Sequence, residues 1–561
     1  MNEILHYCYA HYIVRSYNRG VTKTSTTLSS HPVKKLLVRP DPPMDLKNIN
    51  QIENAVGQQR FEFFRLGACL VFILGIGAFT LLKMNGQAGA SILAIAAMIG
   101  GYMAMNIGAN DVANNVGPAV GSKALSLFGA ICIAAIFEAA GALIAGGEVV
   151  STIKKGIINP ENITDPQQFI WLMVAALLAG ALWLNLATIM GAPVSTTHSI
   201  VGGVLGAGIA AGGLEIANWD KMGAIAASWV ISPLLGGLIA AAILFSIKKK
   251  ILYTADMLAS ARRFVPWLLA AMAWAFSTYL ALKGLKKIWP LDFQAAAIIG
   301  FVVAAITFWV SKPLISQRSK TVKNNQEGVN SLFTIPLIFS AALLSFAHGA
   351  NDVANAVGPL AAIADAITNQ GVSSKASIPL WVMLIGALGI ALGLMLFGPK
   401  LIRTVGSEIT ELDKSRAFCV AMAAAITVII ASQLGLPVSS THIAVGGVFG
   451  VGFLREYLKS SYASQLHSII EQHEGEEKQR LTRFLDNFQK ASVEEMEMML
   501  KEAKAHKVEL GLSKKERKRL KKVYSEKLVK RSAFKKIIAA WVITVPASAL
   551  MAASLFIIIS A

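Results

Sequence analysis

The stretch Asn106–Ser122, "NIGANDVANNVGPAVGS", sets an aspartate in the middle of apolar chain, and His348–Leu360, "HGANDVANAVGPL", does so again. The first copy follows "ILAIAAMIGGYMAM", a run of small and apolar residues that reads as a membrane span. Asp111 and Asp352 lie 241 residues apart. A second motif, "GAPVSTTHSIVGGVLGAG" from Gly191, returns as "GLPVSSTHIAVGGVFGVG" from Gly435, and His198 and His442 are 244 apart. A third pair, "SWVISP" at Ser228 and "AWVITVP" at Ala540, brings Trp229 and Trp541 to a spacing of 312, because a polar insert precedes the last copy. Three pairs in one order mean an internal duplication.

The rest of the chain supports a membrane reading. Charged residues make up 15% of its 561 residues, against about 25% in an ordinary soluble domain. Mean hydropathy is +0.55. Apolar runs predict spans at roughly 66–82, 88–109, 124–146, 168–190, 198–216, 223–246, 264–283, 293–311, 331–350, 376–397, 415–434, 442–456 and 535–559. The predicted fold is an all-α polytopic membrane protein with about 12–13 transmembrane helices. The net charge of +19 collects in loops and in the insert, so it reads as positive-inside bias and not as a nucleic-acid surface. Cys8, Cys69, Cys132 and Cys419 show no paired spacing, and the three in apolar segments read as buried thiols.

The chain divides into a polar basic tail (1–60), an extra span (61–87), a first repeat (88–246), a linker with two spans (247–330), a second repeat (331–456), a charged helical cytosolic insert (457–534) and the last span of the second repeat (535–561). The tail reads as an irregular cytosolic segment, with a transit peptide as the alternative. Gly117-Pro118 and Gly358-Pro359 suggest that 111–123 and 352–375 are broken, re-entrant pieces. Seven crossings then separate equivalent points of the two copies. Seven is odd, so the copies run through the membrane in opposite directions, as in inverted-repeat secondary transporters.

An acid inside a membrane is costly and marks function. Asp111 and Asp352 stand beside Asn110, Asn114, Asn351 and Asn355. Carboxylate and amide oxygens at a broken helix suit a hard cation. Ser195, Thr196, Thr197 and Ser439, Ser440, Thr441 follow a proline and begin an apolar helix. Hydroxyls and unpaired N–H groups at a helix start suit an anion, although plain N-capping uses the same residues. His198 and His442 read as hydrogen-bonded structural residues of those helix starts. Glu138 is a further intramembrane acid, a candidate for coupling or gating. Cation sites and anion sites at one repeat interface describe a cation-coupled anion transporter.

At these residues the chain resembles the inorganic phosphate transporter (PiT) family. "GANDVANN" and "GANDVANA" look like its two signature copies, "PVSTTH" and "PVSSTH" like its hydroxyl motifs, and "FEAAGALIAGGEVVSTIKKGII" from Phe137 like the segment between. The resemblance covers roughly 90–456 and the last span. It implies a non-enzymatic symporter that takes up phosphate with sodium or protons, often as a homodimer, in the cell membrane or, as an alternative, an organelle envelope. The amide-rich surroundings and the "GANDVAN" form favour sodium at Asp111 and Asp352, with no other cofactor. The alternatives are a proton-coupled phosphate or sulfate transporter on the same fold and, more remotely, an intramembrane aspartyl protease. Against the protease, two carboxylates sharing a proton would not need six hydroxyls at two helix starts.

Overall fold

The computed structural model describes residues 46–159, 162–163, 165–190, 194–284, 291–369, 378–408, 412–458, 475–490, 499 and 531–561. Residues 1–45, most of the 457–534 insert, and Gly191 and Pro193 of the first hydroxyl motif lie outside them. Contacts divide the chain into residues 1–64 and 65–561.

The fold is helical, and among the described residues the only bridge is the isolated pair Ile158–Ala217. The helices that matter are α1 (Leu46–Met84), α2 (Ala90–Gly121), α3 (Leu127–Ala145), α4 (Gly147–Lys155), α5 (Pro166–Ile189), α6 (Thr196–Gly212), α7 (Trp219–Ile247), α8 (Met257–Gly284) and α9 (Phe293–Ser319). They continue with α10 (Gln326–Leu332), α11 (Thr334–Asn369), α12 (Leu380–Glu408), α13 (Lys414–Gln433), α14 (Ser440–Leu458), α15 (Gly475–Lys490) and α16 (Arg531–Ser560). Eleven of the described helices are long and apolar enough to cross a membrane. The protein is therefore an all-α polytopic membrane protein.

Four expectations change. Residues 46–60, read as irregular tail, are helical and continue into the extra span. Leu46, Ile49, Ile52 and Val56 recur at helical spacing there, a signal that the polar composition hid. Second, α2 and α11 are not broken at their Gly-Pro pairs. They run on for 32 and 36 residues, with Pro118 and Pro359 inside them. A proline removes one backbone bond, and in a packed membrane helix neighbouring groups satisfy what it frees. Third, the breaks fall at the hydroxyl motifs. The segments 198–216 and 442–456 are not among the eleven spans. They are α6 and α14, the second helices of the packed helix hairpins α5–α6 and α13–α14, and α6 has 17 residues, or about 25 Å. Fourth, Cys69 and Cys419 are buried free thiols as expected, but Cys132 is partly exposed.

The signature helices form the core. The apolar window of α11 is 89% buried and that of α9 only 17%, so α11 sits at the centre and α9 at the rim. Small residues permit the closest approaches. A Cβ at Gly349 would strike the Glu138 backbone of α3, and a Cβ at Gly108, the same repeat position, would strike the Ile390 carbonyl of α12. Each signature helix thus lies backbone to backbone against a helix of the other copy. One of these contacts brings Glu138 to the signature motif.

Candidate functional site

Hairpin tips and signature motifs meet where the two copies face each other. Ser195 caps α6 by accepting from His198 N at 3.1 Å, and Ser439 does the same for His442 N at 3.3 Å. Both hydroxyl runs therefore are helix starts, as their sequence indicates. The first helical N–H groups, at Thr196 and Thr197 and at Ser440 and Thr441, have no acceptor within their helix.

The side chains are exchanged between copies. Thr441 Oγ1 of the second copy donates to Asp111 Oδ1 of the first at 3.1 Å and accepts from Asn114 Nδ2 at 2.8 Å. Thr197 Oγ1 of the first copy lies 3.3 Å from Asp352 Oδ1 of the second and donates to the Val438 carbonyl at 2.9 Å. It accepts from Asn355 Nδ2 at 3.2 Å. Asn355 Nδ2 also lies 3.2 Å from Thr196 Oγ1. Ser440 Oγ donates to Asp352 Oδ2 at 3.0 Å. The pairs Asp111–Thr441–Asn114 and Asp352–Thr197–Asn355 are the same triad written twice with the copies swapped.

The neighbouring amides repeat as well. Asn110 Nδ2 donates to Asp111 Oδ1 at 3.0 Å and to the Val194 carbonyl at 3.3 Å, and Thr188 Oγ1 approaches Asn110 Oδ1 at 3.3 Å. Asn351, with its amide turned so that nitrogen faces acceptors, donates to Asp352 Oδ1 at 3.2 Å and to the Val438 carbonyl at 3.0 Å. Its oxygen then accepts from Ser432 Oγ at 3.0 Å. Thr188 and Ser432 keep the 244 spacing of the hydroxyl motif. Each copy thus sets a cradle of carboxylate, amide, hydroxyl and backbone carbonyl, in which the amide nitrogen bridges the carboxylate and the carbonyl and the amide oxygen faces the hydroxyl.

His348 breaks the symmetry. Its repeat counterpart is Ile107. Nε2 of His348 lies 2.7 Å from Asp352 Oδ2 and 3.7 Å from Asp111 Oδ2, while Nδ1 lies 3.1 Å from Glu138 Oε2. Asn115 Nδ2 holds the other Glu138 oxygen at 2.8 Å. Asp111, Asp352, Glu138 and His348 are all at most 1% exposed. Asp111, His348 and Asp352 also present ligand atoms close enough together to hold one metal ion. Sequence reasoning singled out the aspartates and Glu138, gave His348 no role because it lacks a repeat counterpart, and missed Asn115, Thr188 and Ser432. Two signals were available: His348 lies one helical turn before Asp352, and Thr188 and Ser432 match across the duplication.

His198 and His442 are buried at the two helix starts. Their rings pack together with two tryptophans. His198 lies 3.9 Å from Trp229, His442 lies 3.6 Å from Trp541, and the two imidazoles are 4.6 Å apart between centroids.

Three carboxylates around one imidazole leave at least two negative charges in excess, even with the imidazole protonated. Buried charge of that size requires bound cations or protons. Four helical N–H groups and the hydroxyls beside them offer the opposite preference, for an anion.

Comparison with known proteins agrees with this chemistry. The sequence profile of the phosphate transporter family matches residues 107–552. A relative from Helicobacter pylori strain J99, described as "Putative phosphate permease", is 53% identical over 525 residues, covering 92% of this chain and 98% of its own. A Pyrococcus furiosus relative of like description is 40% identical over 364 residues, 65% of this chain and 88% of its own. Among solved structures, "The sodium-dependent phosphate transporter" is 31% identical with a TM-score of 0.69, covering 84% of this chain and 99% of its own.

Proposed function

The chain belongs to the phosphate transporter family, a family of membrane transporters and not of enzymes, and we propose that it imports inorganic phosphate by symport with sodium. One observation carries the sodium reading: the two matched cradles. Asp111, Asn110, Thr188 and the Val194 carbonyl form one, and Asp352, Asn351, Ser432 and the Val438 carbonyl form the other. Carboxylate, carbonyl and hydroxyl oxygens, joined by the amide oxygen once the amide turns, are what a hard cation takes, whereas a proton needs only one acid. Two sodium ions would also match the charge excess of the cluster. The solved relative titled as sodium-dependent supports the same reading.

Phosphate lies, in this proposal, between the hairpin tips. Ser195, Thr196, Thr197, Ser439, Ser440 and Thr441 supply hydroxyls and helix-start N–H groups from both copies. Asn114 and Asn355 tie each tip to the signature helix of the other copy. Glu138 holds His348, which spaces the two aspartates. The assignment to the cell membrane and to a homodimer comes with the family resemblance, and the mass of the solubilised protein tests the dimer.

A second reading has its own observation. The imidazole between Asp352 and Asp111 is a group that could carry a proton, which favours proton coupling. Phosphate uptake into proteoliposomes at fixed pH, with sodium replaced by potassium or choline, decides between them. Uptake that stops without sodium is the expected result. Uptake that persists without sodium and collapses with a protonophore would reverse the assignment.

A further inference from the structure

The helix α4 has nine residues and is set between glycines, with Gly146-Gly147 joining it to α3 and Gly156 ending it. It lies along the second copy. Ile153 packs against Gly358 of α11, and Lys154 Nζ lies 2.8 Å from Asp365 Oδ2, with side chains only 7% and 6% exposed. Asn369 Nδ2 donates to the other Asp365 oxygen at 2.6 Å. Thr152 Oγ1 donates to the Gly435 carbonyl at 2.7 Å, in the turn that leads to Ser439 at the hairpin tip. Asp365 stands about 20 Å beyond Asp352 along α11. The loop after α4 carries exposed Asn162, Asp165 and Gln167. The short helix therefore stands between the hairpin tip and a polar end of the protein.

The second copy is built differently here. Gly141 and Gly393, 252 residues apart, are equivalent, since a Cβ at either would strike the backbone of the other copy's signature helix, at Phe346 and at Met105. Gly147 then matches Pro399, Lys154 matches Gly406, and Asp365 matches Ala124, so the ion pair has no counterpart. The helix α12 runs unbroken through the stretch where the first copy divides into α3 and α4. A buried ion pair is a poor choice for stability alone, because apolar side chains of the same volume hold as well or better. It suits a contact that parts. Both charges are hydrated again when it opens, whereas an opened apolar contact exposes its surface to water.

We propose that α4 is a hinged latch: Lys154–Asp365 and Thr152–Gly435 hold it shut beside the hairpin tip, and it swings about Gly146-Gly147 to let phosphate pass on that side. The inference rests on the hairpin tips as the phosphate site and goes beyond that reading by naming what closes one side of it. Thr152 and Lys154 stand on one short helix, so both contacts part in a single movement. A Cβ at Gly147 would meet nothing, so no packed neighbour hinders the turn there. Lys283 of α8 anchors the hinge end through Glu148 at 3.1 Å, which leaves the Lys154 end to move.

The test joins the latch to its seat. Lys154→Cys with Asp365→Cys, in a protein whose own four cysteines are replaced by alanine, removes both charges together and so leaves neither unpaired in the interior. A short bifunctional thiosulfonate should bridge the two cysteines and lower phosphate uptake into proteoliposomes about tenfold or more, and dithiothreitol should restore it. A static brace, joined in place, would leave uptake unchanged. That result, or a pair that fails to cross-link at every sodium and phosphate concentration, would overturn the latch alone. Gly147→Ala reads the hinge without touching the ion pair, whether or not the cysteine variant transports. Its Cβ meets nothing, so Tm should not fall, while the stiffer junction should slow uptake about fivefold, the scale of the helix preference of alanine over glycine. Unchanged uptake by this variant would refute the hinge. A wild type that takes up no phosphate overturns the transport reading, and the latch with it.

Discussion

Replacing Thr441 by valine removes one oxygen and keeps the shape. In the protein that oxygen donates to Asp111 Oδ1 at 3.1 Å and accepts from Asn114 Nδ2 at 2.8 Å. A hydrogen bond to a charged group contributes about 1.5–3 kcal/mol, and Asn114 is half-buried, so water recovers part of its loss. Thr441 is also one of the hydroxyls proposed to grip phosphate, and a net cost of about 2 kcal/mol there corresponds to about a thirtyfold rise in the phosphate concentration for half-maximal uptake at saturating sodium. Thr441→Ser keeps the hydroxyl and should stay within about threefold of wild type, because it gives up only a methyl contact. Thr197→Val is the mirror experiment and acts on Asp352. The assay is phosphate uptake by proteoliposomes across a phosphate titration at saturating sodium, with the variants reconstituted in equal amounts. If the valine and serine variants are equally impaired, the methyl and not the hydroxyl matters, and the exchange of side chains between copies is only packing.

Asp111→Asn and Asp352→Asn should each abolish uptake while the protein still inserts, since removing one partner of a buried charged set costs about 3–5 kcal/mol, or at least a hundredfold in cation affinity. Wild-type uptake by either variant would make that aspartate structural. Arsenate should compete with phosphate and sulfate should not, because sulfate lacks the O–H that an acceptor carboxylate can receive; equal inhibition by sulfate moves the assignment to a sulfate carrier. Gly349→Ala should lower the Tm of the solubilised protein, since its Cβ meets the Glu138 backbone and overpacking costs about 1–3 kcal/mol. Gly117→Ala, whose Cβ has open space, is the control, and an equal loss of Tm in both would refute the close-approach argument.

The duplication made much of this legible. Matched motifs located the aspartates, amides and hydroxyls that the fold brings together, because helix starts and intramembrane acids have strong local causes. Matching also misled. A Gly-Pro pair reads as a break, yet Pro118 and Pro359 sit inside continuous helices, since burial in protein and not local geometry decides whether a membrane helix tolerates proline. The segments 198–216 and 442–456 read as further spans because α6 and α14 are themselves apolar. His348 was overlooked for the opposite reason. It has no counterpart at Ile107, so an analysis by repeats passes over the residue that joins both aspartates.

The hydroxyls explain how binding of a cation and of phosphate become linked. Serine and threonine carry one O–H each, so each can donate once. In the protein the Ser440 proton goes to Asp352 and the Thr441 proton goes to Asp111. The groups proposed to grip phosphate are therefore already committed to carboxylates, and those carboxylates repel an anion. A sodium ion on each aspartate removes both obstacles. It takes over the carboxylate oxygens, which frees the hydroxyls to turn toward the hairpin gap, and it cancels the charge that phosphate would meet. Binding is then ordered, with cation first and phosphate second. Calorimetric titration of phosphate into the purified protein should give no binding heat in choline buffer and a clear isotherm once sodium is added. Equal phosphate affinity in the two buffers would refute the order and show that the hydroxyls are free without any cation.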